Sequence, residues 1–240
     1  MLFYIINMKK YILILLLLSQ YIFAEDLKLE MLPIPGQKFS MLSTEVPQHM
    51  YESIIGENPS VIKGDFFPVE NISWYDAVYF CNVLSIKMGL DPVYYVNNVN
   101  DPKKWHYKPH KGNKINGKVE WDKSKNGFRL PTIDEWEYTA SNGYDGKYSL
   151  DEICWYKNNS DNKTHPVGQK QPNIYGLYDI VGNVWEWCWD SYILNPNMHF
   201  YRGGAYDSQE DDCRTTEYYH ENGRYTDKTL GFRILCKNKK

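Results

Sequence analysis

Five cysteines, Cys81, Cys154, Cys188, Cys213 and Cys236, are the residues of this chain best suited to redox or soft-metal chemistry. An odd count leaves at least one thiol outside any intramolecular pairing. Their spacing gives no C-x-x-C and no adjacent histidine pair, so it does not describe a zinc cluster. His165, His199 and His220 stand far apart and read as packing or surface histidines. A second chemistry is offered by Asp179-Ile-Val-Gly182-Asn183-Val184-Trp185-Glu186, where two carboxylates flank a glycine turn. A hard cation such as Ca²⁺ takes several oxygens, carboxylate and carbonyl together, and Gly182 permits the turn that aims carbonyls inward. The same residues admit another arrangement, in which Asp179 caps the turn and Glu186 pairs with an arginine such as Arg202 or Arg233. Ser208 would need a histidine base to act as a nucleophile. Its neighbours Asp207, Glu210, Asp211 and Asp212 include none, and they read as a solvated acidic loop.

These residues need a scaffold. Leu32 to Phe39 reads as strand and turn. Thr44 to Ile55 reads as a short helix with Pro47 in its first turn, a Val46/Met50/Ile54 stripe and Gly56 as the stop. Ser73-Trp-Tyr-Asp76 predicts a capping box opening a longer helix, with Ala77, Phe80, Cys81, Leu84 and Met88 at helical spacing and Gly89 at its end. Asn97 to Asn126 is polar and reads as a long loop or hairpin, with a strand-like Val119-Glu-Trp121. Thr132 and Glu135 predict a second capping box, ahead of an inner face of Ile133, Trp136 and Ala140. Beyond Gly143 few helical signals remain. Phe232, Ile234 and Cys236 alternate as in a strand with one buried face. Helices followed by a loop-rich, aromatic β half predict an α+β domain.

The chain has 240 residues and a net charge of −3. Its basic residues are scattered, which argues against nucleic acid as a partner. Residues 1–24 carry Lys9 and Lys10, an apolar run and Ala24 before Glu25, the pattern of a secretory leader. An uncleaved anchor is the alternative, although the run is short for a membrane span. Residues 25–240 are ample for one domain. An exported protein in the periplasm or at the cell surface is expected, with no stable membrane span after cleavage.

Five phrases, in order, resemble the formylglycine-generating (sulfatase-modifying factor) family. They are Pro68-Val-Glu-Asn-Ile-Ser-Trp-Tyr-Asp-Ala77, Phe128-Arg-Leu-Pro-Thr-Ile-Asp-Glu-Trp-Glu-Tyr138, Gly176-Leu-Tyr-Asp-Ile-Val-Gly-Asn-Val-Trp-Glu-Trp187, Tyr201-Arg-Gly-Gly-Ala205 and Leu230-Gly-Phe-Arg233. The resemblance implies a C-type-lectin-related fold, low in regular secondary structure, with two main helices on twisted antiparallel sheets. It implies calcium held by Asp179, Gly182, Val184 and Glu186. It also implies a Cys81–Cys236 disulfide, against which stands a reading of two buried thiols.

The family's chemistry is copper-dependent oxidation of a substrate cysteine to formylglycine by a pair of cysteines. Counted from Arg202, the pair falls on Ser208 and Cys213. A hydroxyl oxygen does not replace a thiolate on Cu(I), so copper is not expected here. The residues after Cys213, Arg214-Thr-Thr-Glu-Tyr-Tyr219, depart from the family pattern. They leave Cys213 either as the second catalytic cysteine or as a structural one facing Cys188. Two functions compete: a binding module for an exported protein, peptide or glycan, presenting residues 205–229, and an oxidoreductase or other modifying enzyme acting on an exported substrate.

Overall fold

The computed structural model describes Leu27, residues 29–141, Gly143 and residues 146–238; the expected leader lies outside the described residues. Among the described residues, no helix is long and apolar enough to cross a membrane.

Local sequence explains where the helices start and stop. Helix α1 spans Gln48–Ile55 behind Pro47, and Gly56 ends it at φ +90°, donating its N–H to Glu52. That left-handed stop is a conformation in which a side chain would be strained. Helix α2, Trp74–Lys87, opens on the expected capping box: Ser73 accepts from the Asp76 N–H, and Asp76 accepts from the Ser73 backbone. Helix α3, Ile133–Ser141, follows the Thr132/Glu135 box, with the Glu135 N–H on Thr132 Oγ1 at 3.2 Å and the Thr132 N–H on Glu135 at 3.0 Å. A four-residue helix α4, Leu150–Ile153, was not expected, although Ser149 and Glu152 form a third box.

The strands form three sheets. β1 (Met31–Pro33), β2 (Phe39–Leu42) and β9 (Leu235–Lys237) make the first, in the order β1-β2-β9. β3 (Tyr94–Val96) and β4 (Val119–Trp121) make a two-stranded ribbon. The largest sheet runs β7-β6-β5-β8, from Tyr218–Asn222, Asn195–Arg202, Trp185–Tyr192 and Leu230–Gly231. Its pairings are antiparallel except β5 with β8, which is parallel and sets Glu186 opposite Gly231.

The expected alternation at the C-terminus does not hold. Phe232, Ile234 and Leu235 are all 0% exposed, and Cys236 is the half-buried residue. The reason is that this segment has neighbours on both sides. Leu235 pairs with Met41 of β2 and exchanges both backbone hydrogen bonds with Arg129. The long polar segment after Asn97 does lack regular structure apart from β4 and one 3₁₀ turn, Pro102–Lys104, but it anchors itself by burying Trp105, Tyr107 and Ile115.

Most of the core lies between α1, α2 and the C-terminal strands. Tyr51 stacks on Phe80 at 5.2 Å, and Phe232 meets Phe80 edge-on at 5.3 Å. A second cluster surrounds Trp136 with Ile180, Cys154, Cys188 and Cys213. Phe80→Ala should cost about 3–5 kcal/mol, because the cavity forms between fully buried partners. Ser73→Ala removes only a cap and should cost about 1 kcal/mol. Urea unfolding of the two variants checks that order.

Candidate functional site

Glu186 is 0% exposed and does not stand free for a cation. Arg233 binds it from two nitrogens, Nε to Oε1 at 3.0 Å and Nη2 to Oε1 at 2.9 Å, with Nε also 3.3 Å from Oε2. Trp136 Nε1 donates to Oε2 at 2.7 Å. Arg233 spends its remaining donors on the carbonyls of Leu42 at 3.0 Å and Tyr178 at 2.7 Å. Of the two arrangements open in the sequence, the Glu186–arginine pair is therefore present, and Arg233 is the arginine. Arg202 turns instead to Glu137, at 2.7 Å, and to the Thr215 carbonyl.

Two more carboxylates surround this pair. Asp179 is 1% exposed, at φ +52°, and accepts the Gly168 N–H at 2.6 Å through Oδ2. Its Oδ1 is buried without a hydrogen-bond partner. Glu45, which nothing in the sequence pattern marked, is 0% exposed and accepts from Asn183 Nδ2 at 2.9 Å and the Val184 N–H at 3.1 Å. Three buried carboxylates thus face one guanidinium. Burial pushes Asp179 up to about 6. Burial, reinforced by the charges of Asp179 and Glu186, holds Glu45 well above the ordinary carboxylate range.

For calcium, this donor set fits at Asp179, whose unsatisfied Oδ1 and surplus negative charge suit a hard cation. It does not fit at Glu186, whose oxygens are occupied by Arg233 and Trp136. Among the described residues, no group of three or more His, Cys, Asp or Glu side chains is arranged to hold a metal. Gly182 is required in either case: at φ +84°, a Cβ there would lie 2.4 Å from both Cys154 Sγ and the Trp155 carbonyl oxygen.

Ser208 and Cys213 sit in the turns after Gly203 and Gly204, both at positive φ as the glycine pair requires. Ser208 is 7% exposed, and its Oγ accepts the Ala205 N–H at 2.9 Å, a turn-closing role. Cys213 ends a 3₁₀ turn, Glu210–Cys213, and is 3% exposed. It shares its buried cluster with Cys154, a residue for which the sequence offered no partner. Burial, then Cys213, pushes the Cys154 thiol well up. Cys188 is 0% exposed, with Sγ 3.9 Å from the Glu186 carbonyl, and its thiol too is pushed up by burial. No disulfide joins any of the five cysteines; Cys81 and Cys236 both pack in the larger core cluster.

Beside the β5–β6 hairpin lies a groove of about 780 Å³ that the motifs did not mark. Trp74, Tyr75, Trp189 and His199 form its aromatic wall, and Lys114 and Lys118 stand on its rim. Trp74 stacks on His199 at 3.7 Å and meets Trp189 at 5.4 Å. Burial lowers His199 to about 4, so its ring is a neutral stacking surface at pH 7. A Cβ on Gly223 would lie 3.1 Å from both the His199 and the Tyr75 ring, so the 205–229 segment passes close beside the groove. On that segment Tyr218, Tyr219 and Tyr225 are 55%, 44% and 40% exposed.

The raised Asp179 has a consequence for stability. The native state binds this proton more tightly than the unfolded chain does, so the contribution is full below about pH 4 and is lost as pH rises through about 6. In chelator-treated protein, the stability lost over that window should be on the order of 3 kcal/mol. Asp179→Asn should flatten this part of the profile, as read by denaturant unfolding from pH 4 to pH 7.

The sulfatase-modifying factor enzyme 1-like domain family matches residues 28–238. The chain is 38% identical over 171 residues to the chaperone protein LppX of Paenibacillus barcinonensis, covering 61% of this chain and 60% of that protein. It is 31% identical over 115 residues to the inactive C-alpha-formylglycine-generating enzyme 2 of Bos taurus, covering 37% of each. It thus spans less than two thirds of the length of either relative. The solved Treponema denticola variable protein 1 matches with a TM-score of 0.76 at 34% identity, over 87% of this chain and 92% of that one. The chain belongs to the sulfatase-modifying factor family, the family of the formylglycine-generating enzymes.

Proposed function

We propose that this domain is an exported binding module for a protein, peptide or glycan, and that it does not generate formylglycine. The observation that carries the reading is the aromatic groove, beside which the tyrosine-bearing 205–229 segment passes at Gly223. Rigid aromatic rings give contact area at low entropic cost, and the flanking lysines add polar anchors. The Ser208 hydroxyl closes its own turn, and Cys81, Cys154, Cys188 and Cys213 are at most 3% exposed, which supports the non-catalytic half of the proposal. One observation favours a modifying oxidoreductase instead: Cys154 packs in the same buried cluster as Cys213. Calcium belongs to the proposal as a structural ion. Asp179 Oδ1 and the carbonyls of Gly182 and Val184 would hold it, with Glu186 acting through its charge.

Two measurements test this. A Cys-x-Pro-x-Arg peptide incubated with the protein, Cu(I) and O₂ should show no aldehyde by mass spectrometry; turnover would sink the non-catalytic reading. On peptide and glycan arrays the protein should retain a defined ligand set that Trp189→Ala weakens tenfold or more, and arrays without retention would remove the binding reading. For calcium, the melting temperature should rise with the logarithm of ion concentration, and Asp179→Ala should abolish that rise.

A further inference from the structure

We propose that Cys154 and Cys213 are a dithiol that oxidises to a single disulfide, joining the turn after α4 to the 3₁₀ turn Glu210–Cys213. The proposal goes beyond ligand binding and does not depend on it.

The two residues are 59 positions apart in sequence, 154 to 213, yet both side chains pack inside the same buried cluster. Each sulfur occupies space that a glycine leaves open. A Cβ on Gly182 would lie 2.4 Å from Cys154 Sγ, and one on Gly204 would lie 2.8 Å from Cys213 Sγ. These two glycine positions meet through the backbone, where the Gly182 N–H donates to the Gly203 carbonyl at 2.8 Å. The flanking turns are bound to each other independently of the sulfurs. The Lys157 N–H donates to the Ser208 carbonyl at 3.1 Å, and Ser160 Oγ donates to the Tyr206 carbonyl at 2.6 Å. The backbone therefore brings the sulfurs together before any bond forms between them, the condition that favours intramolecular exchange over other pairings. Cys188 instead aims its sulfur at the Glu186 carbonyl, and Cys81 lies on α2 in the other core cluster.

The reaction is thiol–disulfide exchange with a small or protein disulfide as oxidant. One thiolate attacks the oxidant's disulfide, forming a mixed disulfide and releasing one oxidant thiol. The second cysteine then attacks the mixed disulfide, forming the Cys154–Cys213 bond and releasing the other oxidant thiol. Two electrons pass to the oxidant, and the two cysteine protons end on its thiols or in solvent. Both side chains are at most 3% exposed in the folded protein, so the exchange takes place as the chain folds or when the 205–213 turn opens.

The test equilibrates the purified chain with glutathione disulfide, with and without prior unfolding. The sample is acid-quenched, alkylated in denaturant and mapped by mass spectrometry without reduction. The expected map has one cross-linked pair of peptides carrying Cys154 and Cys213, with Cys81, Cys188 and Cys236 alkylated. Cys154→Ser should leave Cys213 alkylated and create no new link. The oxidised wild type should melt higher than the reduced one, a difference both Cys154→Ser and Cys213→Ala lose. Five alkylated cysteines in the wild-type sample after refolding, or a link between any other pair, overturns the proposal whether or not the variants fold.

Discussion

The buried ion pair of Glu186 and Arg233 is the joint on which the two halves of the domain depend. Through it β5, α3, the end of β2 and the turn at Tyr178 are held to one guanidinium and one carboxylate. A charge pair at this depth costs desolvation energy that only dense hydrogen bonding offsets. Here every donor of the Arg233 fork that the structure describes has an acceptor, and both oxygens of Glu186 are occupied. Removing either partner would leave the other charge stranded, a loss of about 3–5 kcal/mol. The pair also sets the local field: Glu45 and Asp179, lying around it, keep protons longer than ordinary carboxyls do.

Strand β5 divides that interior from the aromatic groove. Trp185, Trp187 and Trp189 follow one side of its pleat, while Glu186, Cys188 and Asp190 follow the other. On the tryptophan side, rings run from Tyr219 and Tyr201 against Trp185, past Trp187 bonded to the Ile72 carbonyl, to Trp189 stacked on Tyr94 at 4.8 Å. The row begins at an exposed tyrosine and ends in the groove wall. One strand thus supplies both the buried joint and the spine of the aromatic surface.

Much of this was legible where the physics is local. The capping boxes at Ser73 and Thr132, the stop at Gly56 and the glycine pair at Gly203 and Gly204 follow from residues within a few positions of one another, and all are present. The Glu186–arginine alternative was readable because charge complementarity limits the partners. Glu45 and Cys154 were not readable, because their partners Asn183 and Cys213 lie 138 and 59 positions away and no periodicity connects them. Helix α4 escaped because four residues carry no helical period, although its cap was in plain view. The C-terminal alternation misled because Leu235 is enclosed by β2 on one side and Arg129 on the other.

The pairing of β9 with β2 carries a consequence in time. Ser40 meets Cys236, and Met41 meets Leu235, so the first sheet joins residues 196 and 194 positions apart in sequence. Contacts of such long sequence separation form slowly, since the loop between them must close first. A chain emerging from the ribosome has neither Arg233 nor β9 until long after β2 has been made. Until then, Glu186 has no guanidinium to meet, and the apolar surfaces of Met41 and Phe80 lack their covers. The domain therefore stays open during synthesis until the residues of β9 have been added.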